Sequence, residues 1–343
     1  MTLQISPANI LPLGKLPHEQ LSRLLKKYVL DDPRILVGPR LGEDATVIDF
    51  GEILLVAKTD PITFATDEIG WYAVNVNAND IACMGATPRW FLATLLLPEG
   101  RADDALVERI FAQIGGACES LGVTLAGGHT EITHGLDRPI IIGIMLGEVT
   151  REQLVTTGGA RVGNALLLTK GYAIEATAII AHEKATELAA RFSSEFLARC
   201  RVFLHDPGIS VVRDAQIAAA AGRVNAMHDP TEGGLATGLW ELAWAADVGL
   251  EIDASALPLL PETAQLCQIF DLDPLGVIAS GALLMAVAAD DALAIRQALE
   301  AESIPVFEIG RVAEKTVGVN LVTAAGQRPM PRFARDEITR LFE

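Results

Sequence analysis

The chain has 343 residues, half of them hydrophobic, and a formal net charge of −17 at pH 7. That length and apolar content can bury one large core or two medium ones, and ordinary domain sizes favour two. So strong an acidic excess repels phosphate backbones and anionic membranes, which argues against nucleic acid and membrane as partners; an anionic small molecule binds only where a cation or clustered backbone N–H groups offset the repulsion.

The opening, MTLQISPANILPLGKLP, has no basic leader followed by an apolar run, so a cytoplasmic location is expected. Leu21, Leu24, Leu25 and Tyr28 then recur at helical spacing, with Glu19, Arg23, Lys26 and Lys27 on the other faces of an amphipathic surface helix. In GEDATVIDFGEILLVAKTD two β-prone runs, Ala45 to Ile48 and Ile53 to Lys58, flank the turn Asp49-Phe50-Gly51-Glu52 and read as a hairpin. The residue entering its first strand and the one leaving its second share the open end, so Asp44 and Asp60 are expected on one rim. Ile69 to Met84 reads as a helix, with Val74, Ala78 and Ile81 on one stripe and Gly85 as its stop. Asp80 falls in its last turns, at the unfavourable end of the helix dipole, and a nearby cation would repair that mismatch.

A strand from Trp90 to Leu97 and a helix bearing Leu106, Ile110, Ile114 and Leu121 follow, and Gly122 ends that helix. A short strand, Val123 to Ala126, then leads into Gly127-Gly128-His129-Thr130-Glu131, and residues 139 to 149 form another strand. The polar stretch behind it sets the expected division into domains 1–155 and 156–343. The second half repeats the mixture: a strand at Ala165 to Leu168, alanine-rich helices, MHDPTEGGLATGLWELA, the strand SGALLMAVA and a terminal portion. Pro274 to Ala289, the longest uncharged stretch, is shorter than the ~20 residues of a spanning helix and is broken by Gly276, Ser280 and Gly281. Cys83, Cys118, Cys200 and Cys267 form no C-x-x-C pair and read as buried free thiols. Mixed strands and helices in both halves favour an α/β or α+β plan, and no short repeat is present.

The chemistry-bearing residues are mostly acids. Asp44, Asp60, Asp80 and Glu131 each end an element beside Gly, Thr or Asn, and such a set suits Mg²⁺, which takes a few carboxylates plus phosphate oxygens. Any one of them can instead cap a helix or face solvent. Gly127-Gly128 and Gly233-Gly234 can bring backbone N–H groups to an oxyanion or can be ordinary turns; neither fits a P-loop or a Rossmann fingerprint. Asp229 can cap the helix that follows it. His129 can donate to a phosphate or shuttle a proton, or be structural, and His228 reads more readily as structural. No Ser-His-Asp, Cys-His or G-x-S-x-G arrangement is present, which disfavours covalent hydrolysis.

In order, GEDATVIDF, KTD, NDIACMGATPR, AGGHTEIT, DPTEGGLAT and SGALL resemble the superfamily of aminoimidazole ribonucleotide synthetase, thiamine-monophosphate kinase, selenophosphate synthetase and the hydrogenase maturation protein HypE. GGHTE and DPTEGGLA are most similar to HypE and its relatives. The resemblance implies an α+β, two-domain synthetase-like fold, with an N-terminal mixed sheet that pairs across a homodimer interface and a C-terminal α/β domain that closes a cleft for ATP and Mg²⁺. It implies Asp44, Asp60 and Asp80 as metal ligands. Thr59, Asn79, Gly127, Gly128, Thr130, Asp229, Gly233 and Gly234 join Asp44 and Asp60 as cofactor-binding residues, and Asp80, His129 and Glu131 are the candidate catalytic residues. The implied chemistry is phosphoryl transfer from ATP to an amide-type or carbamoyl oxygen with loss of phosphate. A small-molecule kinase and a non-catalytic nucleotide-binding scaffold are the alternatives. The acceptor is expected to be a small molecule or carried by a protein. HypE enzymes carry their acceptor cysteine in a Pro-Arg-x-Cys tail; here Pro331-Arg332 precedes Phe333 and no cysteine follows Cys267. Gly14-Lys15 stands where relatives have a mobile glycine-rich segment.

Overall fold

The structure is a computed structural model that describes residues 16, 18–29, 31–40, 42–63 and 67–342. Gly14-Lys15 lies outside the described residues. Six strands, β1 (Ile35–Val37), β2 (Thr46–Asp49), β3 (Leu54–Ile62), β4 (Thr87–Pro98), β5 (Thr124–Thr133) and β6 (Ile140–Val149), form one sheet in the order β1-β2-β3-β6-β4-β5. Its pairs are antiparallel except β4 with β5, whose parallel pairing needs a crossover, supplied by a helix of 18 residues between them. Seven strands make the second sheet: β7 (Ala165–Thr169), β8 (Val224–His228), β9 (Gly249–Asp253), β10 (Leu284–Val287), β11 (Val306–Ala313), β12 (Val319–Thr323) and β13 (Gly326–Pro329). Their order is β13-β12-β9-β11-β7-β10-β8, with β9 and β12 parallel. The chain thus has the two-domain α+β plan with mixed sheets in both halves.

The helices are α1 (His18–Tyr28), α2 (Ile69–Cys83), α3 (Asp104–Leu121), α4 (Ile174–Glu183), α5 (Ala185–Leu188), α6 (Ser194–Val202), α7 (Val212–Ala221), α8 (Gly234–Ala246), α9 (Pro261–Ile269) and α10 (Ala292–Ala301). Among the described residues no helix is long and apolar enough to cross a membrane. One core lies mostly within the second half and takes in Tyr72 of α2; the other joins the inner face of the first sheet to α7, α10 and one face of β7 and β10.

The helix α2 is the spine of this arrangement. All but one of its residues are buried, so the single stripe expected from Val74, Ala78 and Ile81 understates it. The first sheet, α3 and α7 enclose it. Burial on every side forces its polar groups to find partners. Asn75 donates to Trp71 O at 3.0 Å, Asn77 turns to β3, and Asn79 reaches the loop before α7, donating to Ile209 O and accepting from Val211 N, both at 2.8 Å.

In β3, alternation puts Leu54, Val56, Lys58 and Asp60 on the face toward α2, opposite Val149, Gly147, Met145 and Gly143. Gly143 and Gly147 are small because α2 lies against them: a Cβ on Gly143 would sit 2.3 Å from Asn77 Nδ2, and one on Gly147 would sit 2.3 Å from Ile81.

The pair Gly127-Gly128 is not a turn after a strand, because β5 runs straight through it. An extra residue bulges there, since Phe91 pairs with Leu125 and Leu92 with Gly127. Both glycines take positive φ, and a Cβ on Gly128 would lie 1.9 Å from Ala93 O. Close backbone approach at a bulge therefore accounts for the glycines. Gly128→Ala is expected to lower unfolding free energy by roughly 2 kcal/mol or more, since no flexible side chain can yield; a thermal midpoint equal to that of the parent protein would contradict this account.

Candidate active site

Between the two sheets four carboxylates meet around one ammonium group. Lys58 Nζ lies 3.3 Å from Asp60 Oδ2 and 3.2 Å from Asp80 Oδ2. Asp60 is held by its backbone, whose N–H donates to Asn77 Oδ1 at 2.9 Å and whose carbonyl accepts from Asn77 Nδ2 at 3.3 Å. Asp80 comes from the last turns of α2, and Cys83, one turn on, donates its thiol to Asp229 Oδ1 at 3.6 Å. Asp44, just before β2, accepts from His228 Nδ1 at 2.7 Å, and His228 Nε2 faces Glu241 Oε2 at 3.0 Å. One ligand atom each from Asp44, His228 and Asp229 lies within 4.8 Å of the others. Asp44, Asp80, His228 and Asp229 are all buried, whereas Asp60 is 37% exposed and marks the open side.

Burial and crowding shape the charges. Burial, then the nearby Asp229, Asp60 and Asp44, hold the Asp80 carboxyl well above the usual carboxylate range, against the pull of Lys58. Burial and Asp44 push Asp229 up to about 7, although His228, Lys58 and Cys83 oppose them. For Lys58 burial works against the ammonium, but Asp80 and Asp60 outweigh it and raise it above the ordinary lysine range. Burial likewise opposes a charged His228, and Asp44 and Glu241 outweigh it from the two ring nitrogens. The doubly donating imidazolium fixes the orientation of Asp44, as an outer-shell partner does for a metal ligand.

Asp229 Oδ2 is buried without a hydrogen-bond partner, and Asp80 Oδ2, also without a directed hydrogen bond, has the Lys58 ammonium at 3.2 Å. Such oxygens are costly unless a cation takes them. The residues therefore fit a hard divalent cation with oxygen ligands. His228 has both ring nitrogens engaged and orients a ligand instead of adding one.

The other sequence candidates are not joined to this cluster. Thr59 points to the opposite face of β3 and donates to Gly143 O at 2.9 Å. Asn79 spends both amide groups on the loop before α7. His129 and Glu131 pair with Thr94 and Leu96 on the outer face of the sheet, where they face each other at 3.4 Å, exposed. Along the register Asp60–Gly143–Ala93–Gly128 they stand three strands from Asp60, roughly 14 Å away at ordinary spacing. Gly127, Gly128 and Thr130 line a separate hollow of about 350 Å³ between β5 and α3, with Phe111 and Ile114.

Gly233-Gly234 does open α8, with Gly233 at the cap and both at positive φ, but Gly233 N already donates to Asp336 Oδ2 at 2.7 Å. Asp336 also accepts from Ile278 N and Ile338 N. The chain's own carboxylate thus fills the anion position that the helix N-terminus offers. Gly234 is small because a Cβ would meet Leu275 O at 2.4 Å. Asp229 does not cap α8.

Sequence reading gave no site role to Lys58 or Glu241, took His228 as more readily structural, and took Cys83 as a buried free thiol, which it is. Lys58 carried a signal, standing two residues before Asp60 on one strand face, and Cys83 stands one helical turn after Asp80. Glu241, two turns into α8, carried none.

Raised carboxyls make the native state bind more protons than the unfolded chain. For Asp229, stability is present below about pH 4 and lost as pH rises toward its folded value of about 7. The raised His228 acts in the same direction above its ordinary range. The thermal midpoint should therefore fall from pH 5 to pH 8, and Asp229→Asn should flatten that slope in a calorimetric pH series; an unchanged slope would remove Asp229 from the account.

The chain matches the AIR synthase related protein N-terminal domain over residues 42–149 and the corresponding C-terminal domain over residues 161–321. It is 32% identical to the carbamoyl dehydratase HypE of Cupriavidus necator, over 74% of this chain and 70% of that protein. It is 27% identical to a putative hydrogenase expression/formation protein of Methanocaldococcus jannaschii, over 94% and 96%. A crystal structure of the hydrogenase maturation protein HypE in complex with ATP superposes with a TM-score of 0.70 at 25% identity, covering 92% of this chain and 96% of that one. This chain is a HypE-like member of the AIR synthase related protein family.

Proposed function

We propose that the protein is an ATP- and Mg²⁺-dependent enzyme that activates an amide-type or carbamoyl oxygen by phosphoryl transfer, with loss of phosphate. The observation that carries this reading is the convergence of Asp44, Asp60, Asp80 and Asp229, two of them with buried oxygens that lack a hydrogen-bond partner. The ATP complex of HypE and the carbamoyl dehydratase relatives support the nucleotide and the reaction class. In this reading Asp44, Asp60, Asp80 and Asp229 hold Mg²⁺, which when bound neutralises charge on the transferring phosphoryl group. His228 with Glu241 holds Asp44, and Asn77 holds Asp60. The acceptor is a small molecule or a group carried on a partner protein.

We further read the protein as a homodimer. Ten residues of β5 form an exposed edge, a template for pairing with another chain. The sheet's outer face adds partly exposed Trp90, Leu92, Ile142 and Ile144. Ile144→Lys should shift the species seen by light scattering from dimer to monomer while the fold persists; an unchanged mass would send the interface elsewhere.

Pure protein with Mg-ATP should release phosphate when a carbamoyl or amide acceptor is present. Asp80→Asn should cut that rate at least ~100-fold, the scale on which single charge-stabilising groups act, with the fold retained because a buried like charge is removed. A phosphorylated product without free phosphate would make the chain a kinase, and undiminished turnover in Asp80→Asn would move the site.

A further inference from the structure

On the metal–nucleotide reading above, we propose that Lys58 is a tethered stand-in for the divalent ion: without metal its ammonium holds Asp60 and Asp80 together, and metal binding expels it toward the open side, where it meets the phosphate oxygens of the nucleotide. Four observations lead there. The ammonium lies almost equally far from Asp60 Oδ2 and Asp80 Oδ2, at 3.3 and 3.2 Å, between two carboxylates that would share a cation. Its contact with Asp80 is one of charge and not of a directed bond, since Asp80 Oδ2 lacks a hydrogen-bond partner. Among the described residues no other lysine or arginine reaches ion-pair distance of Asp44, Asp60, Asp80 or Asp229. The way out is open, because a fifth of the Lys58 side chain and more than a third of Asp60 are exposed.

Size and charge make the two cations exclusive. Magnesium holds oxygens at about 2.0–2.1 Å in a strict octahedron, so a shared ion draws both carboxylates in and leaves no room for an ammonium. Two positive charges so close also repel strongly in a partly dry cleft. The four-carbon stem rooted in β3 lets the ammonium swing away without moving backbone, and as a compact point charge it suits phosphate. A single positive charge thus serves twice, first as counter-ion to the empty cluster and then as a ligand to the anion that arrives with the metal.

Mn²⁺ is the probe, titrated without nucleotide into parent protein and Lys58→Met and followed by electron paramagnetic resonance. Displacement predicts at least about tenfold tighter Mn²⁺ binding by Lys58→Met, since no ammonium has to leave. A second readout needs no variant: acylation of Lys58 in the parent protein, read by mass spectrometry, should speed up with saturating Mn²⁺ and slow again when a non-hydrolysable ATP analogue is added. Equal or weaker Mn²⁺ binding by folded Lys58→Met overturns the inference, as does Lys58 reactivity that Mn²⁺ leaves unmoved. No Mn²⁺ binding by either protein, with or without the nucleotide analogue, instead overturns the metal reading on which the inference rests.

Discussion

The mutual repulsion of four carboxylates in a largely buried cleft governs this structure. Coulomb energy between unit charges a few ångströms apart is about 1 kcal/mol in water and several times that near a protein surface. Asp80 adds to the difficulty by sitting where the helix carbonyls already present negative charge. One ammonium, Lys58, and one imidazolium, His228, offset part of this, and protonation offsets more, with Asp229 pushed up to about 7. A fold that served stability alone would replace such a cluster with apolar residues. The cluster's place in the middle of the molecule, with Asp229 Oδ2 unpaired and Asp80 Oδ2 held by charge alone, is what makes it the candidate site.

Holding repelling groups in place requires rigid supports, and these account for features that look unrelated in the sequence. Asn77 clamps both backbone groups of Asp60, which requires Gly143 opposite to have no side chain. Asn79, two residues along α2, ties the same helix to Ile209 and Val211 of the second half. A buried lysine beyond that loop, Lys170, donates to Ser210 O at 2.6 Å and lies 3.4 Å from Asp214. One helix therefore supplies one carboxylate of the cluster, the support of a second and the link between domains. The distance from Asp80 to Asp229 is set by this packing and not by any direct bond between them.

The elements were legible because each has a local cause: the β3 alternation, the helical run ending at Gly85 and the hairpin loop at Gly51. Asp44 and Asp60 were legible as neighbours for the same reason, since strand pairing brings them to one rim; Asp80 was legible as a helix-end acid, whereas Glu131, read with them, lies exposed beside His129. The glycine pairs were misleading because glycine answers two demands that look alike in sequence. A ligand approaching the backbone calls for it, and so does another strand or loop. At Gly128 the neighbour is Ala93 O and at Gly234 it is Leu275 O, both remote in the chain. Asp336, which fills the α8 N-terminus, lies about a hundred residues downstream, and no spacing rule reaches that far. Glu241 escaped notice for the same reason: only the fold brings it to His228.

The charge of the cluster also constrains the order of events in the proposed reaction. A free nucleotide triphosphate is an anion approaching a chain of net charge −17 and a cleft of four acids. Long-range repulsion slows that approach, and at short range Lys58 is, among the described residues, the one lysine or arginine at ion-pair distance of the four acids. Metal and nucleotide that arrive as one complex carry less charge to the cleft and bring a divalent ion to its crowded carboxylates. The acceptor faces a different field. Once the cluster is neutralised, a neutral amide or carbamoyl group meets no electrostatic barrier, whereas a second anion still does. Selection among acceptors therefore falls to shape and hydrogen bonding outside the acidic cluster.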